Sequence, residues 1–183
     1  MNKFTTTKTA SMNDVAFCGY ALPSQIMSIF QDAVTTHTAI LGVDAPSILK
    51  NINAKWVITR VRFEIDGTLR VGDEYTVSTW PLKAGPLRFG RTFVLEKEGK
   101  TIAKAFTEWC LLDADTDEVM RSSALTMPIE EYLTDKGIEG KFSGAKATDP
   151  KTVYTHTVRQ SDLDINRHVN NVTYIKFALD CLL

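Results

Sequence analysis

An α+β fold is what this 183-residue sequence predicts, and three observations predict it. One long amphipathic helix stands near the start, a run of strand-like segments follows it, and strand does not alternate with helix among them. The helix is read from Ile26, Ile29, Phe30, Ala33, Val34, His37, Ile40 and Leu41. Spacings of three and four put these residues on one face, with Pro23 suited to the first turn and Gly42 to the stop. So wide an apolar stripe on a polar-backed helix needs a broad partner such as a sheet. The stretch before it, Asp14 to Leu22, reads as a short strand and turn.

The strands come next. Lys55 to Ile65 is rich in β-branched and aromatic residues and ends at Asp66-Gly67. Glu74 to Trp80 alternates until Pro81 stops it. Arg88 to Glu96 leads through Glu98-Gly99 into Lys100 to Leu112, a hairpin about the glycine. The order implies a helix laid across a curled antiparallel sheet. Ile129 to Thr134 fits a helical turn, and the Gly-, Lys- and Ser-rich stretch from Lys136 to Pro150 reads as a linker. The expected organisation is a first domain over 1–127, a linker over 128–150 and the beginning of a second domain over 151–183. In that second unit Thr152 to Arg159 alternates like a strand, and Ser161 to Asn171 is a polar turn. Val172, Ile175, Ala178, Leu179 and Leu182 then form a helical face with Asn171 as its cap. Strand, turn and helix thus occur twice, about 140 residues apart. The second helix reaches Leu183 inside its apolar pattern, so the expectation is a shortened unit that lacks about 75–80 residues of its counterpart.

Charge and cysteines narrow the function classes. Twenty-one basic and 22 acidic residues leave a net charge of −1, which gives no electrostatic case for nucleic acid or an anionic membrane as partner. No run approaches the ~18 apolar residues of a membrane span, and Met1 to Thr9 lacks the apolar core of a secretory signal. Cys18, Cys110 and Cys181 make neither a disulfide framework nor a CxxC site, which points to the reduced thiols of a cytoplasmic protein.

The densest polar cluster is Ser161-Asp-Leu-Asp-Ile-Asn-Arg-His-Val-Asn-Asn171, directly before the second helix. Asp162, Asp164, Asn166, His168 and Asn170 alternate with Leu163, Ile165 and Val169, so extended backbone separates a polar side from an apolar one. A calcium loop would need Gly where Arg167 stands and Glu where Thr173 stands. A zinc site would need more ligands than a nearby His156 supplies, so no metal and no cofactor is expected. Two readings remain: a turn whose Asp and Asn side chains cap the helix, or a hydrolytic site. In the second, His168 serves as general base, Asp164 orients it and Asn166 donates to a carbonyl oxygen or positions a water. The helix N-terminus would add N–H groups where an oxyanion forms. Such equipment suits an ester or thioester with a good leaving group. His37 reads as a packed core histidine, His156 as a cross-strand packing residue and Cys110 as a small core hydrophobe. Trp56, Trp80 and Trp109 read as core or pocket walls, and Ser161 lacks the Gly-x-Ser-x-Gly setting of a nucleophile.

The run Ser161 to Ile175 closely resembles the signature of the acyl-[acyl-carrier-protein] thioesterases. The stretches Trp56-Val-Ile-Thr-Arg60, Thr79-Trp-Pro81, Arg88-Phe-Gly-Arg-Thr-Phe93 and Glu108-Trp-Cys-Leu-Leu-Asp113 resemble that family in the same order. The resemblance implies a tandem hotdog architecture, a long helix wrapped by an antiparallel sheet, twice in one chain. It implies hydrolysis of fatty acyl thioesters of acyl carrier protein in fatty acid synthesis, with Asp164, Asn166 and His168 as catalytic residues. It also implies acyl-chain selection by the first hotdog, with Trp80 and the Ile26/Phe30/Val34 face as pocket walls, and a homodimer as a possible assembly. A further acidic residue of the family's site would fall beyond Leu183. The alternatives are a hotdog thioesterase acting on acyl-coenzyme A and an acyl-binding module without turnover.

Overall fold

The computed structural model describes residues 1–140, 142, 149, 151–164 and 168–182. Six strands form one antiparallel sheet: β1 (Phe4–Thr9), β2 (Ala54–Ile65), β3 (Glu74–Pro81), β4 (Phe89–Lys97), β5 (Lys100–Asp113) and β6 (Val119–Met120). Their order across the sheet is β1-β3-β4-β5-β2, with β6 pairing the far end of β5. Helix α1 (Pro23–Ile40) lies across its inner face, α2 (Ala45–Ile52) follows, and α3 (Asn171–Asp180) belongs to the second unit. This is the hotdog arrangement, and the four strand segments and the long helix stand where the sequence puts them.

The sheet's register explains the core. Thr79, Phe93, Ala105 and Phe63 are direct cross-strand partners and so share one face. Phe30 of α1 meets that row, stacking on Phe93 at 5.0 Å and on Phe63 at 6.4 Å. Ile26, Ile29, Ala33 and Val34 complete the helix side of the cluster. A second cluster around Val43, Ile48, Phe89 and Leu111 takes in Trp56 and Trp109. Cys110 is buried, and burial raises its thiol pKa, as befits a packed rather than a reactive cysteine.

Several local expectations are corrected. Asp14 to Leu22 holds no strand; a single 3-10 turn (Met12–Asp14) and a bend lead into α1, because the Asp14 carboxylate accepts Ser11 N–H and Oγ–H and caps the turn. β1, which actually precedes α1, pairs with β3 as an edge strand. Ile129 to Thr134 forms no helix. Residues 151–159 form no paired strand among the described residues. The cap of α3 is Asn170, one residue earlier than expected: its Oδ1 accepts Val172 N–H at 2.9 Å.

The described part of the connection lies against the sheet's outer face. Trp80, Thr92, Phe106 and Arg62 form the row there. Trp80 Nε1 donates to the Asp135 carbonyl at 2.8 Å, and Phe142 stacks on Phe106 at 5.7 Å. Gly137 and Gly140 both have positive φ, and a Cβ on either would come within 2.7 Å of Thr92 Cγ2 or Arg62 Nη1. Small residues are what let this strap cross so close. Trp80 therefore faces the strap, on the opposite side of the sheet from Phe30, and the two do not share a pocket wall.

Candidate active site

The second unit closes a loop before α3. Asn170 N–H donates to the Asp162 carbonyl at 2.9 Å, and Leu163 and Val169 form an antiparallel bridge. Inside that neck, Asp164 N–H donates to the His168 carbonyl at 2.8 Å, and His168 N–H donates to Asp164 Oδ1 at 3.2 Å. Asp164 and His168 are thereby fixed side by side at the mouth of a hairpin, Asp164 half-buried and His168 exposed. Asn166 lies outside the described residues, so two of the three sequence-derived residues are brought together here. The Asp164 carboxylate meets the backbone of His168. Asn170 caps the helix, as the capping reading expects, while Asp164 and His168 stand apart from the cap. Of the first N–H groups of α3, Val172 is held by Asn170 Oδ1 and Thr173 by the Asn170 carbonyl.

The loop sits beside the first unit. A polar groove of about 440 Å³ runs between α1 and α3, lined by Gln31, Asp32 and Thr35 on one side and Ser161, Asn170 and Lys176 on the other. Leu163 and Thr173 also reach it, so the groove opens along the base of the Asp164–His168 loop.

His156 is not a cross-strand residue. Its Nε2 lies 2.8 Å from Asp162 Oδ2, its Nδ1 3.3 Å from the Tyr154 hydroxyl, and its ring 4.3 Å from that of Phe177 on α3. The bond from His156, with a second from Arg159 N–H, holds the Asp162 carboxyl below the usual carboxylate range. No spacing in the sequence announces this pair, because the contact depends on how the extended segment folds back onto α3.

The first unit hides a second polar group. His37 is fully buried, as its helix position suggests, yet its Nδ1 lies 3.1 Å from Nη1 of Arg91, which is itself buried and also donates to Thr79 Oγ1. Among the described residues no carboxylate pairs with Arg91 within salt-bridge distance. Burial, reinforced by the Arg91 charge, lowers the His37 pKa to about 4. The signal was present: Phe89, Arg91, Phe93 and Leu95 share one parity, so the arginine falls on the inward side of β4.

Comparison with known proteins decides the family. The acyl-ACP thioesterase N-terminal domain matches residues 1–124, and the corresponding C-terminal domain matches residues 145–183. The chain belongs to the acyl-ACP thioesterase family. Among solved structures, this family member resembles an acyl-ACP thioesterase from Bacteroides thetaiotaomicron VPI-5482, with 27% identity and a TM-score of 0.84 over 97% of this chain and 72% of that one. The 12:0-ACP thioesterase from Umbellularia californica shares the fold, with a TM-score of 0.81 at 17% identity over 99% of this chain and 75% of that one. A curated relative is the chloroplastic palmitoyl-acyl carrier protein thioesterase of Arabidopsis thaliana, 27% identical over 85% of this chain and 41% of its own length. The oleoyl-acyl carrier protein thioesterase 2 of the same plant is 25% identical over 86% of this chain and 48% of its own. The chain thus spans less than half the length of these curated relatives.

Proposed function

We propose that this protein hydrolyses the thioester of fatty acyl-[acyl carrier protein], releasing free fatty acid and ending chain elongation. The observation that carries the reading is the closed loop that sets Asp164 against His168 at the edge of a polar groove. Family membership supports the substrate class. In the proposed reaction, the His168 imidazole takes a proton from a water as the water attacks the thioester carbon. Asn166 donates to the carbonyl oxygen as negative charge develops on it, and Asp164 keeps the loop and its imidazole oriented. The carbon–sulfur bond then breaks, and the imidazolium returns the proton to the departing thiolate of the carrier's arm. That arm is rich in amides, and the polar groove beside the loop suits it. The partner is then acyl carrier protein, with the free thiols of Cys18, Cys110 and Cys181 fitting a reducing compartment such as the cytoplasm.

Thiol release from palmitoyl- and oleoyl-acyl carrier protein by the full native chain tests the proposal, with the same acyl groups on coenzyme A alongside. Turnover on the protein carrier that is lost in His168→Ala is the expected result. Preference for coenzyme A would replace the carrier assignment, and turnover unchanged by His168→Ala would overturn the site.

A further inference from the structure

We propose that His156 is a positioning residue for the candidate active site, acting through Asp162 on the loop that holds Asp164 and His168; the inference rests on the thioesterase reading above. Asp162 is the neck of that loop. Its carbonyl takes Asn170 N–H, and its carboxylate takes Arg159 N–H at 2.7 Å and His156 Nε2 at 2.8 Å. His156 is itself clamped between the Tyr154 hydroxyl on its own segment and the Phe177 ring on α3. One side chain therefore ties the extended segment, the loop neck and the helix that follows the loop. Nε2 lies toward the Asp162 carboxylate, which can only accept, and Nδ1 lies within reach of the Tyr154 hydroxyl. Through Asp162 the imidazole fixes where the hairpin begins, and through Phe177 it fixes where α3 lies beneath it.

The first unit shows that the turn itself does not require a histidine. Counting 148 residues back, Asp162 corresponds to Asp14, Arg159 to Ser11 and His156 to Lys8. Asp14 takes Ser11 N–H and Ser11 Oγ–H, both at 2.7 Å, while Lys8 reaches Asp32 instead. The backbone cap is common to both units, and the second donor differs: a hydroxyl of the capping residue in one, an imidazole anchored on α3 in the other. The unit with an aspartate and a histidine in its loop is the unit whose neck is tied to its helix. Second-layer groups of this kind shape the rate when the loop they hold must keep a base in place.

The test uses the full native chain, with His156→Phe to keep the ring on Phe177 but remove both hydrogen bonds, and His156→Gln to restore a donor toward Asp162. Three quantities are read: kcat and KM on palmitoyl-acyl carrier protein, thermal unfolding, and the NMR chemical shifts of the His168 ring and backbone amide. We expect His156→Phe to lower kcat about tenfold or more with KM within about twofold. The His168 signals should move as well, and His156→Gln should recover most of kcat. Equal losses of kcat in both variants that track their melting would overturn the proposal in favour of a purely structural contact. An unchanged kcat and unmoved His168 signals in His156→Phe would overturn it too. If the unmodified protein releases no thiol, the thioesterase reading fails, and the His168 signals alone decide this one: moved signals uphold it, unmoved ones sink it.

Discussion

Acidification should unfold this protein through one buried ring. His37 Nδ1 accepts from Arg91 Nη1 at 3.1 Å, and the hydrogen on Nε2 points toward the Met1 carbonyl at 3.4 Å. That neutral tautomer fits its surroundings; a protonated ring would aim an N–H at a guanidinium, both groups being buried. The folded ring therefore refuses a proton until pH about 4, whereas the unfolded ring takes one near 6.5. Above 6.5 both states are neutral and His37 contributes nothing to pH dependence. As pH falls from 6.5 toward 4, the unfolded state gains a proton the folded state lacks. Stability drops by about 1.4 kcal/mol per pH unit, on the order of 3 kcal/mol in all. That is a large share of the 5–15 kcal/mol typical of a folded domain. Urea unfolding of the native protein and of His37→Gln, whose amide oxygen can still accept from Arg91, isolates the effect. All other titrating groups are common to both. The difference between the two proteins should shrink or invert by on the order of 2–3 kcal/mol between pH about 7.5 and about 4.5. A difference constant to within about 0.5 kcal/mol over that range would refute the reasoning.

Three further predictions concern packing and the loops. Phe30→Ala empties the centre of the inner face between Phe63 and Phe93 and should cost about 3–5 kcal/mol in denaturant unfolding. Gly137→Ala adds a Cβ 2.7 Å from Thr92 Cγ2 on a backbone of φ +67°, so it should lower stability by about 1–3 kcal/mol and speed proteolysis after residue 130. Asn170→Ala removes the cap of α3 and should cost about 1 kcal/mol, seen as lower hydrogen-exchange protection over Val172 to Phe177.

The parts of the fold that the sequence disclosed are those where burial forces a period. α1 and the four long strands pack against one another, so their apolar residues had to repeat at helical or alternating spacing. β1 carries no such mark: Phe4-Thr-Thr-Thr-Lys-Thr is an edge strand with one large apolar residue, and its pairing is held by the backbone and by contacts such as Thr5 with Ser78. α2 buries Ile48 and little else, too few residues to show a stripe. The strap was read as a linker because its glycines signal flexibility in a sequence, although here they signal close approach to Thr92 and Arg62. In the candidate site, Asp164 and His168 were legible because loop residues of this chemistry cluster in sequence. His156 was not, since its partner is set by tertiary contact. Arg91 was written in the parity of β4 and passed over because an arginine is expected to face solvent.

The two units also say what the site's backbone owes to its side chains. Ala16 N–H donates to the Tyr20 carbonyl at 3.0 Å, just as Asp164 N–H donates to the His168 carbonyl at 2.8 Å, 148 residues later. α1 begins at Pro23 and α3 at Asn171, again 148 apart. The same main-chain bond therefore joins Ala16 to Tyr20 in one unit and Asp164 to His168 in the other. A main-chain bond closes both, and the side chains add to it differently: Cys18 Sγ donates to the Tyr20 carbonyl at 3.6 Å in one, and Asp164 Oδ1 accepts His168 N–H at 3.2 Å in the other. In the first unit Ala21 N–H donates to the carbonyl of Leu69, in the connection between β2 and β3. In the second, Asn170 N–H, which the same spacing matches to Leu22 N–H on Gln25 Oε1, turns back to the Asp162 carbonyl. A turn that keeps this main-chain bond with tyrosine in place of histidine should keep it with alanine. Loss of turnover in His168→Ala, accompanied by an unfolding free energy within about 1 kcal/mol of the native protein, would then report chemistry rather than collapse of the loop.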